Sequence, residues 1–397
     1  MLFESVRRWH PEWVLHLVLA ETDQAVGELE KDELIDEVHS VPSLDIPDWE
    51  AWAFCHDVVE LCTAIKPFML AKLLAREDCA GVVFLDPDTA VFSRLDDIVD
   101  ALAGASVVLT PHQTLPDQTL EAVMDNEICC LRNGVYNLGF FAVAPSNEGR
   151  RFAAWWADRL YHFCRNDTGR GLFTDQRWID LVPALFDDVT IMRSSRHNVA
   201  PWNLTNRELV EDASRGFLID GEALGFYHFT GFDNDAHLVM AYKHTRDNAD
   251  VKKLVRWYAA QVAKYATSVA SQPWSLGVFD NGQAVTRVQR IVFRERTDLQ
   301  KLWLYPLSTT DVNCFLGWWR DQGAAVYEAM NPDQAWLAFP ALTAGYRWRF
   351  EGGQLATAMH RLKVGLLSAS TARYYTRRGF AVLKTAGVRG LLRKLSR

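Results

Sequence analysis

The stretch Val82-Val83-Phe84-Leu85-Asp86-Pro87-Asp88-Thr89 sends four apolar residues straight into two carboxylates one residue apart. A run of this kind predicts a fully buried strand whose end pushes acids into a cleft. The two-residue period lets Asp86 and Asp88 point the same way. Two carboxylates held together at a buried strand end repel unless a cation stands between them, so metal binding outranks a purely structural role here. Other residues that could take part in chemistry are spread along the chain: Lys66, Asn137 and Gly139, Asp175 and Gln176, and His228 with Gly231. Each has an ordinary reading as well. Lys66 could cap a turn and form a surface ion pair, Asn137 could bond along an edge strand, and Thr174 or Asp175 could cap a helix. A lone histidine such as His228 usually belongs to the core or the surface.

These residues need elements to hold them. Residues 15–20 and 82–85 predict strands, as do 106–109, 136–143 and 189–192. Helical spacing marks 3–13, 57–75 with Pro67 as a start or break, 94–102, 148–163 and 174–184. Strands alternating with helices predict an α/β domain around a mostly parallel sheet, closing after Tyr227–Gly231. Beyond residue 250 the pattern turns helical, at 250–267, 285–300 and 311–329, with a Pro- and Gly-containing link at 273–283.

Taken in order, the motifs resemble the GT-A fold nucleotide-sugar glycosyltransferases, in particular the glycogenin-like and lipopolysaccharide-galactosyltransferase-like group. The matching pieces are Ala64-Ile65-Lys66-Pro67-Phe68, then Asp86-Pro87-Asp88, the short helix Leu95-Asp96-Asp97-Ile98 and Tyr136-Asn137-Leu138-Gly139. Asp175-Gln176 and His228-Phe229-Thr230-Gly231 follow. The resemblance implies a Rossmann-like GT-A domain and a Mn²⁺ or Mg²⁺ cofactor held by Asp86, Asp88 and His228. It implies donor contacts from Lys66, Asp86, Asn137, Gly139 and Gly231, with Asp175 and Gln176 at the reacting sugar. The implied activity is transfer of a sugar from a nucleotide-diphosphate donor to a glycan or lipid-linked acceptor, in bacterial surface polysaccharide synthesis, with retention at the anomeric carbon.

Two departures stand out. The group continues its His-x-x-Gly into a lysine that holds the leaving diphosphate, whereas Phe232-Asp233-Asn234 follows here. Either Lys243 or Arg196 replaces it, or the donor geometry differs. The group also opens on a strand ahead of a helix like FESVRRWHPEW, and that first strand is expected to be missing here. The DxDxT pattern resembles haloacid dehalogenase-type phosphatases too, with Thr110 and Asp187-Asp188 as the further residues such an enzyme needs. An inactive sugar-nucleotide-binding relic is the third reading. On the transferase reading, Thr89 is an ordinary turn residue.

The bulk numbers narrow the setting. The 397 residues carry a net charge of −8, yet the last stretch holds ten Lys and Arg from Arg361 to Arg397 and no acid after Glu351. The rest therefore has 32 basic against 50 acidic residues, a net −18, which argues against nucleic acid as a partner. The tail from 354 reads as a basic amphipathic helix suited to an anionic membrane surface, or as a solvated helix on the acidic body. Seven Cys without a CxxC pair read as thiols of a reducing compartment. Glu4, Arg7 and Arg8 break up any signal-peptide core, and no apolar run reaches membrane-spanning length. The expectation is a cytoplasmic chain, peripheral to the membrane at most. Its predicted units are a GT-A domain over 1–248, a mainly helical region over 249–353 and the basic tail over 354–397.

Overall fold

The computed structural model describes residues 1–330 apart from 28, 30, 31, 235, 246, 247 and 266–273. The basic tail at 354–397 and the aromatic stretch at 331–353 lie outside the described residues. Residues 1–327 form one compact mixed α/β unit.

Its strands, in chain order, are β1 His16–Val18, β2 Glu37–His39, β3 Val82–Leu85, β4 Thr89–Val91, β5 Val107–Pro111 and β6 Tyr136–Val143. They continue with β7 Asn166–Asp167, β8 Leu172–Phe173, β9 Val189–Ile191, β10 Leu209–Asp212, β11 Gly216–Ile219, β12 Glu222–Ala223 and β13 Phe226–His228. The largest sheet has the order β3-β6-β5-β9. β6 runs antiparallel to both of its neighbours, and only β5 and β9 pair in parallel. The sheet is therefore mixed and not mostly parallel. Alternation of strands and helices does not reveal that one central strand is reversed.

β6 is apolar almost throughout because both its faces are covered. Phe141 and Val143 face a core with Trp156 and Phe152 of the helix Asn147–Phe163, while Phe140 and Ala142 face Leu95, Ile98 and Phe226. Phe141 and Trp156 meet edge to face at 5.2 Å, a favoured aromatic arrangement. The predicted helix at 57–75 is two helices. Val58–Ala64 starts on a capping box between Asp57 and Glu60, and Lys66–Leu74 restarts with Pro67 in its first turn. Proline is tolerated there because the first turn has no helical partner for its missing N–H.

The helix Ala249–Tyr265 contributes Leu254, Val255 and Tyr258 to a core shared with Leu209, Ile219 and Phe229. Phe293 of the helix Arg287–Glu295 packs on Phe54 at 4.9 Å, and Arg290 donates to the Phe54 carbonyl at 3.1 Å. Packing thus continues across the expected boundary at 248/249. Among the described residues, no helix is long and apolar enough to cross a membrane.

Candidate metal and donor site

Two ladders position the DPD turn. In the first, Leu85 of β3 stands opposite Phe140 of β6, and the ladder continues one step as Asp86 N donates to Gly139 O at 2.9 Å. In the second, β4 pairs antiparallel with β13, so Thr89 stands opposite His228, and Phe229 N donates to Asp88 O at 2.8 Å. Between them the chain makes a tight turn closed by Thr89 N to Asp86 O at 3.0 Å. Pro87 takes the second turn position, where its fixed φ is pre-set. Thr89 thus both closes this turn and opens a buried strand. A three-residue strand is too short to show a period.

The two registers bring Asp86, Asp88 and His228 together, with their ligand atoms all within 4.8 Å of one another. His228 Nε2 lies 2.9 Å from Asp88 Oδ1, while its Nδ1 is buried without a hydrogen-bond partner. Burial pulls the His228 imidazole towards neutrality, but Asp88 beside it outweighs that and raises its pKa. Burial acts on Asp88 in the opposite sense to His228, whose pull lowers the Asp88 pKa overall. Gly139 is expected to admit the donor sugar, yet the group lying against it is the His228 ring. A Cβ at this position would come within 2.4 Å of the ring's Cε1.

Lys66 is buried, which removes its reading as a surface ion pair. Its ammonium lies 3.3 Å from Asp86 Oδ1, donates to Leu138 O at 2.9 Å and sits 4.5 Å above the Phe84 ring. Asp175 Oδ2 forms an ion pair with the same ammonium at 3.0 Å. Burial disfavours the Lys66 cation, but Asp175 and Asp86 more than compensate, so it stays charged. Burial raises the Asp175 pKa against the pull of Lys66. Lys66 is therefore an internal counter-ion, aimed at carboxylates. Three carboxylates thus surround one ammonium and one imidazole at the turn. A divalent ion neutralises such a set, and oxygen ligands with one imidazole suit manganese. The residues present fit the metal that the sequence implies.

Asp175 makes no cap to the helix Gln176–Ile179. Its neighbour Thr174 has φ 44°, in the left-handed region that a β-branched residue rarely enters. Strain of this kind collects at functional sites. Gln176 braces the main chain, accepting from Leu138 N at 3.3 Å and donating to Asn133 O at 3.0 Å. Both ends of its amide are engaged, so it ties β6 to the Asn133 carbonyl. Asn137 accepts from Gly139 N at 2.8 Å, and its amide nitrogen faces His112 Nε2 at 3.2 Å. Gly231 has φ 68°, which a glycine adopts without strain, and turns the chain away after β13.

Neither replacement for the diphosphate lysine is free. Lys243 pairs with Glu121 at 3.0 Å and with Asp125, and Arg196 pairs with Asp97 at 3.2 Å. The phosphatase residues are also separated. Thr110 lies near the end of β5, while Asp188 O accepts from Ser106 N at the start of that strand. Since β3 and β5 both run against β6, the Asp187-Asp188 pair is at the opposite end of the sheet from Asp86. Sequence reasoning missed His112 and Trp202. The Trp202 ring meets His228 edge to face at 5.7 Å and His112 at 5.3 Å. No local pattern marks either residue, because both arrive through long-range packing.

No family model matches the chain, and no solved structure does. It is 28% identical over 179 residues to the uncharacterized protein YfnF of Bacillus subtilis (strain 168), covering 44% of this chain and 58% of that protein. It is 27% identical over 219 residues to the uncharacterized protein YfnD of the same organism, covering 53% of this chain and 67% of that one.

Proposed function

We propose that the chain is a metal-dependent glycosyltransferase of the GT-A kind, moving a sugar from a nucleotide-diphosphate donor to a glycan or lipid-linked acceptor. One observation carries this reading: His228, distant in sequence, converges with Asp86 and Asp88 so that their ligand atoms lie within 4.8 Å of one another. Mn²⁺ or Mg²⁺ held by these three would act as a Lewis acid on the donor diphosphate, whose charge grows as the sugar leaves.

The chain's own residues supply the rest. Lys66 holds Asp86 and Asp175 in place from between them. Gln176 and Asn137 hold the β6 backbone, and with it the Gly139 gap that admits His228. His112 and Trp202 form an aromatic side to the site on which a sugar ring can pack. Asp175 is paired with Lys66, which leaves it poorly placed as a nucleophile for a double displacement. Retention by a front-face route, in which the leaving phosphate takes the acceptor proton, suits this arrangement. Separation of Asp187-Asp188 from Asp86 weighs against the phosphatase.

The test is incubation with a panel of nucleotide sugars and Mn²⁺, following nucleoside diphosphate release. Asp88→Asn should lower turnover at least ~100-fold, about 3 kcal/mol of lost transition-state stabilisation. Thermal stabilisation by a nucleotide sugar without turnover would instead identify a binding relic. Phosphate release from small phosphomonoesters, with no response to nucleotide sugars, would overturn the proposal.

A further inference from the structure

A second convergence lies on β1 and β2, where no motif reading placed a site. His16 registers with Glu37 across this parallel pair, and His39 follows Glu37 by two residues, so the three side chains share one face. Their ligand atoms form a nearly equilateral triangle. His16 Nδ1 is 3.2 Å from His39 Nε2, and Glu37 Oε2 is 3.5 Å from the first and 3.6 Å from the second.

The size of this triangle decides between explanations. The carboxylate oxygen is beyond hydrogen-bond length from both nitrogens, and the two imidazoles can share at most one proton. Mutual bonding therefore does not account for three atoms aimed at one point. Zinc binds imidazole nitrogen at about 2.0–2.1 Å and carboxylate oxygen at about 2.0–2.2 Å, which puts tetrahedral ligands about 3.3–3.5 Å apart. Octahedral magnesium, at about 2.0–2.1 Å, would need edges of about 3.0 Å, and magnesium and calcium both prefer oxygen to imidazole. The remaining oxygen, Glu37 Oε1, accepts from Arg76 Nη1 at 2.7 Å, and Arg76 is itself held by Asp78 at 3.0 Å. That outer contact fixes the carboxylate with Oε2 turned towards the imidazoles.

We infer that His16, Glu37 and His39 bind one tetrahedral transition-metal ion of the zinc class, with a water in the fourth position, and that the ion clips β1 to β2. The two strands pair over only three residues each, a ladder too short to be stable alone, and such an ion ties their ends together. This site shares no ligand with Asp86, Asp88 and His228, which offer two carboxylates and one imidazole.

That difference in donors supplies the test. Metal-stripped full-length chain is titrated with Co²⁺, whose strong visible absorption reports tetrahedral geometry. The band should reach saturation, persist in Asp88→Asn, and disappear in His39→Gln, with Glu37→Gln weakening binding at least tenfold. Zinc-edge X-ray absorption of the native chain at one equivalent should show two imidazoles around the ion. The inference fails if no tetrahedral band forms, if the band survives in His39→Gln or is lost in Asp88→Asn, or if zinc has fewer than two imidazole ligands. Because the last measurement needs no variant, misfolding of His39→Gln would not shield the inference.

Discussion

His228 occupies space that Gly139 leaves empty: a Cβ on residue 139 would lie 2.4 Å from the imidazole Cε1 and 2.7 Å from Nδ1. Both neighbours belong to paired strands, so neither backbone can retreat easily. Gly139→Ala should push the ring off Asp88 and lower Mn²⁺ affinity at least tenfold. Overpacking should also cost about 1–3 kcal/mol of stability. Mn²⁺ titration and thermal melts of the variant read the two effects separately, and unchanged affinity would remove His228 from the metal set.

Lys66 lies between the carboxylates of Asp86 and Asp175. Lys66→Met keeps the length of the side chain and removes its charge. Breaking a buried pair in this way strands the partner charge and costs about 3–5 kcal/mol. Chemical denaturation should show that loss. Adding Mn²⁺ should recover part of it by neutralising Asp86, whereas a Lys66 that merely packed would give a loss insensitive to the metal.

The residues also show what could be read without coordinates. β6 at 136–143 matches its predicted span because a mostly apolar, aromatic-rich run between turn signals has little alternative. The Pro67 break was equally legible. β2, β4 and the β10–β11 hairpin were not, since strands this short carry no readable period. The expected helix at 285–300 is divided at Arg296, whose φ of −117° and ψ of 84° leave the helical region. At the site, Asp86 and Asp88 could be singled out because an apolar strand ending in two acids demands a cation. The capture of Lys66 by Asp175 could not be read, because it depends on how two distant helices pack. His16, Glu37 and His39 had a faint local signal, a same-face pair spaced by two on β2, which gains meaning only once β1 lies beside it.

Lys243 tests the diphosphate contact. Its ammonium is held by Glu121 and Asp125, both on the 120–133 segment. Lys243→Ala should therefore change the donor KM by less than about twofold, with kcat unaltered. A tenfold rise in KM would mean that the lysine leaves its carboxylates to hold the leaving phosphate.

Acid stability follows from histidines buried as neutral rings. Burial lowers the His56 pKa to about 3, with Arg294 adding to the effect, and its Nδ1 lies 2.8 Å from the Trp52 carbonyl. Burial likewise lowers His237 to about 4. An unfolded histidine takes up its proton near pH 6.5. Between pH 6.5 and about 3 the unfolded chain therefore binds more protons than the folded one, and stability falls as pH falls through that window. The melting temperature should drop steadily from pH 7 to pH 4.5. His56→Gln, which keeps a donor for Trp52 O but cannot titrate, should flatten that slope while costing some stability at pH 7. Equal slopes for the two proteins would show that His56 is already protonated in the folded chain.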